Sequence, residues 1–175
     1  MLIYGGREMA EAFRTVRKNT ITIADEIGAD QYGFRPAPES RTVAELLAHM
    51  AMAPMWQADV HGAHLFQITY EMFGQRVASN AAAERALASK DSILQALRDN
   101  GDRFAAFLAG VSDDTLAELV SFPPPVQPST KSRFEMLLGV KEHEMHHRGQ
   151  LMVYQRILGM VPHLTRARQP VSVGR

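Results

Sequence analysis

Apolar positions recur along this chain with the 3.6-residue period of a helix in four long stretches, and no segment alternates as a strand would. From about Arg7 to Ile27 the residues Met9, Phe13, Val16, Ile23 and Ile27 form one stripe, with Arg14, Arg17 and Lys18 off it. Gly28 supplies a stop. Tyr32-Gly33-Phe34-Arg35-Pro36-Ala37-Pro38 follows as a loop, because its prolines exclude helix. A second helix opens on a capping box: Thr42 caps the amide of Glu45 while Glu45 reaches back. Val43, Leu46, Leu47 and Met50 form its buried stripe. Pro54 lacks the amide that would bond the Met50 carbonyl, so the helix is expected to kink or pause just past His49 and resume through Trp56 toward His61.

The stretch from Gly62 to Ala88 carries a weaker pattern, read as helix at its start and a linker around Gly74 to Asn80. A third long helix runs from about Lys90 to Ala109 on Ile93, Leu97, Phe104 and Leu108, although Gly101 inside it costs roughly 1 kcal/mol against alanine. A short helical piece from Asp113 to Leu119 comes next. Ser121 to Ser129 holds four prolines and no charge, an extended connector too stiff for helix. Ser132 and Glu135 make another capping box. The fourth long helix then continues to about Leu158, where Gly159 ends it and Pro162 prevents a restart. Four amphipathic helices with connectors between them predict an all-α four-helix bundle, with residues 1–175 as a single domain and 164–175 as a disordered tail.

Composition narrows the chemistry. The chain has 175 residues and no cysteine, which excludes disulfides, thiolate ligands and a cysteine nucleophile. Nineteen Lys and Arg balance nineteen Asp and Glu, so no global basic field favours nucleic acid. No apolar run approaches the roughly 18 residues of a membrane span, and the N-terminus lacks a signal-peptide core. The expectation is a soluble, cytoplasmic protein that binds neither nucleic acid nor membrane.

The chemistry concentrates in His143-Glu144-Met145-His146-His147-Arg148-Gly149-Gln150. His143 and His147 are spaced i, i+4, so on a helix both imidazoles leave one face a turn apart, as two ligands of one metal ion require. That face also carries Met136, Val140, Leu151, Tyr154 and Leu158, so the pair points inward, where bare imidazole nitrogens are costly. The spacing alone equally suits a partly exposed histidine cluster. His146 lies about 100° around the helix and reads as a supporting, packing or interface residue. Glu144 and Arg148 point away from the stripe and read as solvated. His61, His64 and His163 read as exposed, and Gln150 and Tyr154 lie near the ligand stripe. No nucleophile with a base, paired carboxylates or phosphate loop is evident, so no catalytic residue is assigned.

Two segments together carry a family resemblance. The first is Arg35-Pro36-Ala37-Pro38-Glu39-Ser40-Arg41-Thr42-Val43-Ala44-Glu45-Leu46-Leu47-Ala48-His49. The second is His143-x-x-His146-His147-Arg148-Gly149-Gln150-Leu151, followed by Leu158-Gly159-Met160-Val161-Pro162. They resemble the loop, second helix and last helix of the DinB/YfiT-like metalloenzyme superfamily, and the helix order between them also fits. The resemblance implies a four-helix bundle, often a homodimer, with a divalent metal held by His49, His143 and His147. His49 shares a face with Glu45, Met52, Ala53 and Trp56, next to the stripe that packs inward. Three imidazoles leave positions open for water or substrate, and suit zinc, nickel, copper or iron(II) without choosing among them.

The resemblance also implies activity on a small-molecule substrate. The first expectation is a transferase using a low-molecular-weight thiol, which the metal would hold as thiolate. The alternatives are a metal-dependent hydrolase and a metal-binding stress-response protein without turnover. Self-association is further suggested by a second apolar group on the last helix, Phe134, Leu138, Met145 and Met152.

Overall fold

The computed structural model describes residues 4–168. Its elements in chain order are α1 (Gly6–Glu26), a 3-10 turn (Ala29–Gln31), α2 (Val43–Gly62), α3 (Tyr70–Ala86), α4 (Lys90–Ala109) and α5 (Asp113–Ala117). There follow β1 (Leu119–Ser121), β2 (Thr130–Ser132), α6 (Arg133–Ile157) and α7 (His163–Arg166). The four long helices α1, α2, α4 and α6 build the bundle: α4 lies against both α1 and α2, and α6 closes the other side against the same two. Among the described residues no helix is long and apolar enough to cross a membrane.

Both predicted capping boxes form. Thr42 accepts from the Glu45 amide at 3.1 Å while Glu45 accepts from the Thr42 amide at 2.7 Å. Ser132 and Glu135 do the same at 3.2 and 2.9 Å. These reciprocal bonds satisfy orphan amides at the two helix starts and set the phase with which each helix enters the bundle. The inward stripes then form two apolar clusters. One gathers Ile23, Ile27, Leu46, Leu47, Met50, Ile93, Leu97 and Leu151; the other gathers Met9, Phe13, Phe104, Leu108, Leu137 and Val140.

Several expectations are corrected. The span taken for a linker at Gly74 to Asn80 lies inside α3, which Thr69 caps through the Met72 amide at 3.2 Å. Alanine, glutamate and arginine fill its second half and favour helix intrinsically. No α3 residue is fully buried, so the helix has no apolar stripe for periodicity to reveal. The chain is also not strand-free: β1 and β2 pair antiparallel, Val120 opposite Lys131, at the two ends of the proline-rich connector. Helix α2 does not pause at Pro54 but runs through it to Gly62. The tail begins with an ordered turn, α7, whose Arg166 meets Glu26; residues 169–175 lie outside the described residues.

Three of the four extra apolar side chains on α6 are covered within the bundle. Phe134 and Leu138 pack on one apolar cluster and Met152 on the other, which leaves Met145 exposed. The face that remains apolar and exposed on α6 is instead Met145, Val153 and Ile157.

Candidate metal centre

The two apolar clusters are separated by a buried ion pair. Arg17 of α1 is 4 % exposed and Glu144 of α6 is 2 % exposed. The guanidinium meets the carboxylate side-on, Nε to Oε1 at 2.9 Å and Nη2 to Oε2 at 2.8 Å. Two of its remaining protons reach the other two helices: Nη1 donates to the Leu97 carbonyl at 2.9 Å and Nη2 to the Met50 carbonyl at 3.0 Å. Pro54 has no amide to offer Met50, so the proline leaves a carbonyl in α2 that Arg17 completes. The adjoining Ala51 carbonyl accepts from Asn100 of α4 at 3.1 Å. Gly101 supplies the space, since a Cβ there would sit 2.9 Å from Arg17 Cγ. Arg17 and Glu144 were both expected on solvated faces; burial becomes tolerable because each charge is paired and bonded.

Two of the residues bonded to this arginine are chain neighbours of the histidines. Met50 follows His49 and Glu144 follows His143. The sequence-predicted trio His49, His143 and His147 is brought together in the half of the bundle above the ion pair, with ligand atoms all within 4.8 Å of one another. Nε2 of His143 lies 3.2 Å from Nε2 of His49 and 3.0 Å from Nε2 of His147. A tetrahedral zinc site with bonds of about 2.0–2.1 Å separates its nitrogens by about 3.3 Å, close to these spacings.

Outer partners fix how the rings face. His49 Nδ1 lies 2.9 Å from Glu84 Oε1, and His147 Nδ1 lies 2.8 Å from Gln150 Oε1. A carboxylate and an amide oxygen only accept, so both Nδ1 atoms carry a proton, and in the neutral rings both Nε2 atoms present lone pairs. Those lone pairs are aimed at a third nitrogen, His143 Nε2, which holds at most one proton and can satisfy only one of them. A cation satisfies all three, so the donor set fits a divalent metal. Burial, then the charges of His147 and His49, push the His143 pKa down to about 4, and burial lowers that of His147 as well. The rings are therefore neutral, as ligands must be.

His146 is exposed and takes part indirectly: Gln150 Nε2 donates to it at 3.3 Å while the same amide holds His147. Tyr154 donates to the Arg41 carbonyl at 3.2 Å, outside the trio. Glu84 was missed because it lies on α3, where nothing in the pattern separates it from Glu71. Two other histidines differ from expectation. His61 is only 3 % exposed; Arg133 Nη1 donates to its Nδ1 at 2.9 Å and its Nε2 donates to Gln57 at 3.0 Å. Burial, followed by the Arg133 charge, pushes its pKa down to about 4. His163 is half-buried against Asn19, Nε2 to Oδ1 at 3.1 Å. His64 is exposed, as its place beyond the helix end requires.

Two outcomes follow. Glu144→Gln strands the buried Arg17 charge and should destabilise the protein by about 3–5 kcal/mol, whereas the double change Arg17→Met with Glu144→Leu should recover most of that loss. Urea unfolding of the three proteins reads this, and a Glu144→Gln protein as stable as the parent would refute it. Acid should also weaken the metal-free protein. His61 and His143 have folded pKa values below the unfolded 6.5, so between roughly 4 and 6.5 the unfolded chain binds more protons. Stability is fully present above that window and is lost as pH falls through it. Thermal melts across pH 7 to 4 in chelator should show the loss, and His61→Asn should shallow it.

Related proteins place this geometry. The sequence profile described as the DinB superfamily matches residues 12–151. A DinB-like protein, YjoA from Bacillus subtilis, shares 20% identity over 88% of this chain and 93% of its own, with a TM-score of 0.67. YfiT from Bacillus subtilis, described as a probable metal-dependent hydrolase with an unusual four-helix bundle topology, shares 14% identity over 91% of each chain, TM-score 0.70. An uncharacterised protein from Clostridium difficile 630 shares 13% identity over 90% of this chain and 99% of its own, TM-score 0.66. No curated protein matches the chain in sequence. At these identities the solved structures speak for the bundle, and the profile match over most of the sequence speaks for kinship: the chain belongs to the DinB superfamily.

Proposed function

We propose that this protein is a metal-dependent hydrolase of a small molecule, with His49, His143 and His147 as the metal ligands. The observation that carries the reading is the convergence of three Nε2 atoms, two of the rings being oriented by Glu84 and Gln150. A divalent ion held by three imidazoles supplies Lewis acidity and a source of hydroxide at neutral pH. The description of YfiT as a probable metal-dependent hydrolase agrees with this chemistry.

The chain's own residues prepare the site in three ways. Glu84 draws the His49 Nδ1 proton and makes Nε2 a stronger donor to a cation, and the Gln150 amide orients His147 in the same manner. The Arg17 bonds to Met50 and Glu144 tie the backbones beside His49 and His143 to one rigid group, so the ligands keep their spacing. Apolar residues pack below, while His49 keeps 21 % of its side chain exposed, which gives a substrate access from one side.

Protein purified without a histidine tag should contain roughly one divalent ion per chain by elemental analysis. His49→Ala, His143→Ala and His147→Ala should each abolish stoichiometric metal, whereas His146→Ala, which acts through Gln150, should cost at most about 10–100-fold in affinity. Chelation should lower the melting temperature, because the ion binds only the native state. Hydrolysis of small esters or amides should place solvent oxygen in the product. A product that instead carries the sulfur of an added low-molecular-weight thiol would replace hydrolase with thiol transferase, and metal retained in the His143→Ala protein would break the ligand assignment.

The same reading includes a homodimer formed through α6, supported by the exposed side chains of Met145, Val153 and Ile157. Light scattering at micromolar concentration should give twice the chain mass and Ile157→Asp should halve it; a monomeric parent protein would remove the dimer.

A further inference from the structure

A solvent-open cleft of about 490 Å³ adjoins the histidine trio, bounded by the loop before α2, the start of α2 and the end of α3. Ala48 and Glu84 line it, and these are the chain neighbour and the hydrogen-bond partner of His49. Six charged side chains surround it, and three of them are already engaged. Arg35 donates to the Pro38 carbonyl at 3.1 Å and pairs with Glu45 at 3.1 Å. Glu45 also accepts from the Thr42 amide, and Glu84 holds His49. Arg41, Arg85 and Glu39 remain, so the charge left over for a ligand is positive. Tyr154 holds the backbone of Arg41 through its carbonyl, which ties that side of the cleft to α6.

We infer that this cleft binds the anionic end of the substrate, a carboxylate or phosphate, through Arg41 and Arg85, while the bond to be cleaved lies at the three histidines. The inference rests on the hydrolase reading for the second part only. A guanidinium offers two parallel N–H donors matched to either oxyanion, and its charge needs no proton exchange to be present at any physiological pH. The substrate class is therefore a small molecule with an acidic group a few bonds from its scissile linkage. Neutral analogues should enter the same site and be held weakly.

Calorimetric titration of the protein as purified, with succinate, inorganic phosphate and neutral succinamide as probes, tests this. Arg41→Gln and Arg85→Gln should each weaken the preferred anion roughly 10-fold, the scale of one charge-assisted contact, and the double variant further. Arg98→Gln, at an exposed arginine on α4, should leave binding unchanged. Dependence on both arginines for succinate alone assigns the group as carboxylate, and for phosphate alone as phosphate. Equal anion affinity in the parent and the double variant, or succinamide bound as tightly as succinate, overturns the inference. Anions also bind metals directly, so His147→Ala is titrated in parallel: arginine-dependent binding should survive there. Metal content measured on the same samples reports on the hydrolase reading separately, because its loss leaves the arginine comparison intact.

Discussion

The bundle turns on one buried cation. Arg17 sits where four helices meet, and four of its five N–H protons are spread over the Glu144 carboxylate and the carbonyls of Met50 and Leu97. Burying a guanidinium is costly unless its charge is paired and its donors are used, and both conditions hold here. The arrangement constrains more than stability. It requires a proline in α2 to free a carbonyl, a glycine in α4 to admit the side chain, and a glutamate in α6 to balance the charge. An apolar replacement could fill this volume but would not fix the rotation of α2 and α6 about their axes in the same way.

That rotation decides the geometry of the histidines. His49 and His143 are each one residue from a group bonded to Arg17, so a slip of either helix would separate their Nε2 atoms. The bonds to Glu84 and Gln150 then act on the rings themselves, selecting the tautomer that points lone pairs into a common space. Backbone anchoring below and ring orientation above are independent devices serving one end, which is a preorganised cluster of imidazoles. Helix α3 contributes almost nothing to the core, yet it supplies Glu84 to the trio and Arg85 to the adjoining cleft.

Much of this was legible from residue order alone. Apolar stripes on α1, α2, α4 and α6, two capping boxes and the i, i+4 histidine pair are local features, and local periodicity reports directly on which face of a helix is buried. They sufficed for the bundle and for the inward phase of His147, whereas the pairing with His49 came from the family resemblance. The short β1–β2 pair was not legible, because three-residue strands carry too little alternation and their pairing depends on the connector closing between them.

What only the tertiary structure decided concerns polar groups in the interior. Arg17, Glu144 and His61 lie on positions that hydropathy assigns to solvent, and each is buried because a partner distant in the chain completes it: Glu144 for Arg17, Arg133 for His61. Pro54 and Gly101 looked like flaws in two helices and turn out to make room and a carbonyl for the same arginine. Pairing energy between residues far apart in sequence leaves no mark on local pattern, whereas burial of apolar side chains does. The chain therefore states its helices and its histidines one by one, and packing alone determines which charges meet beneath them.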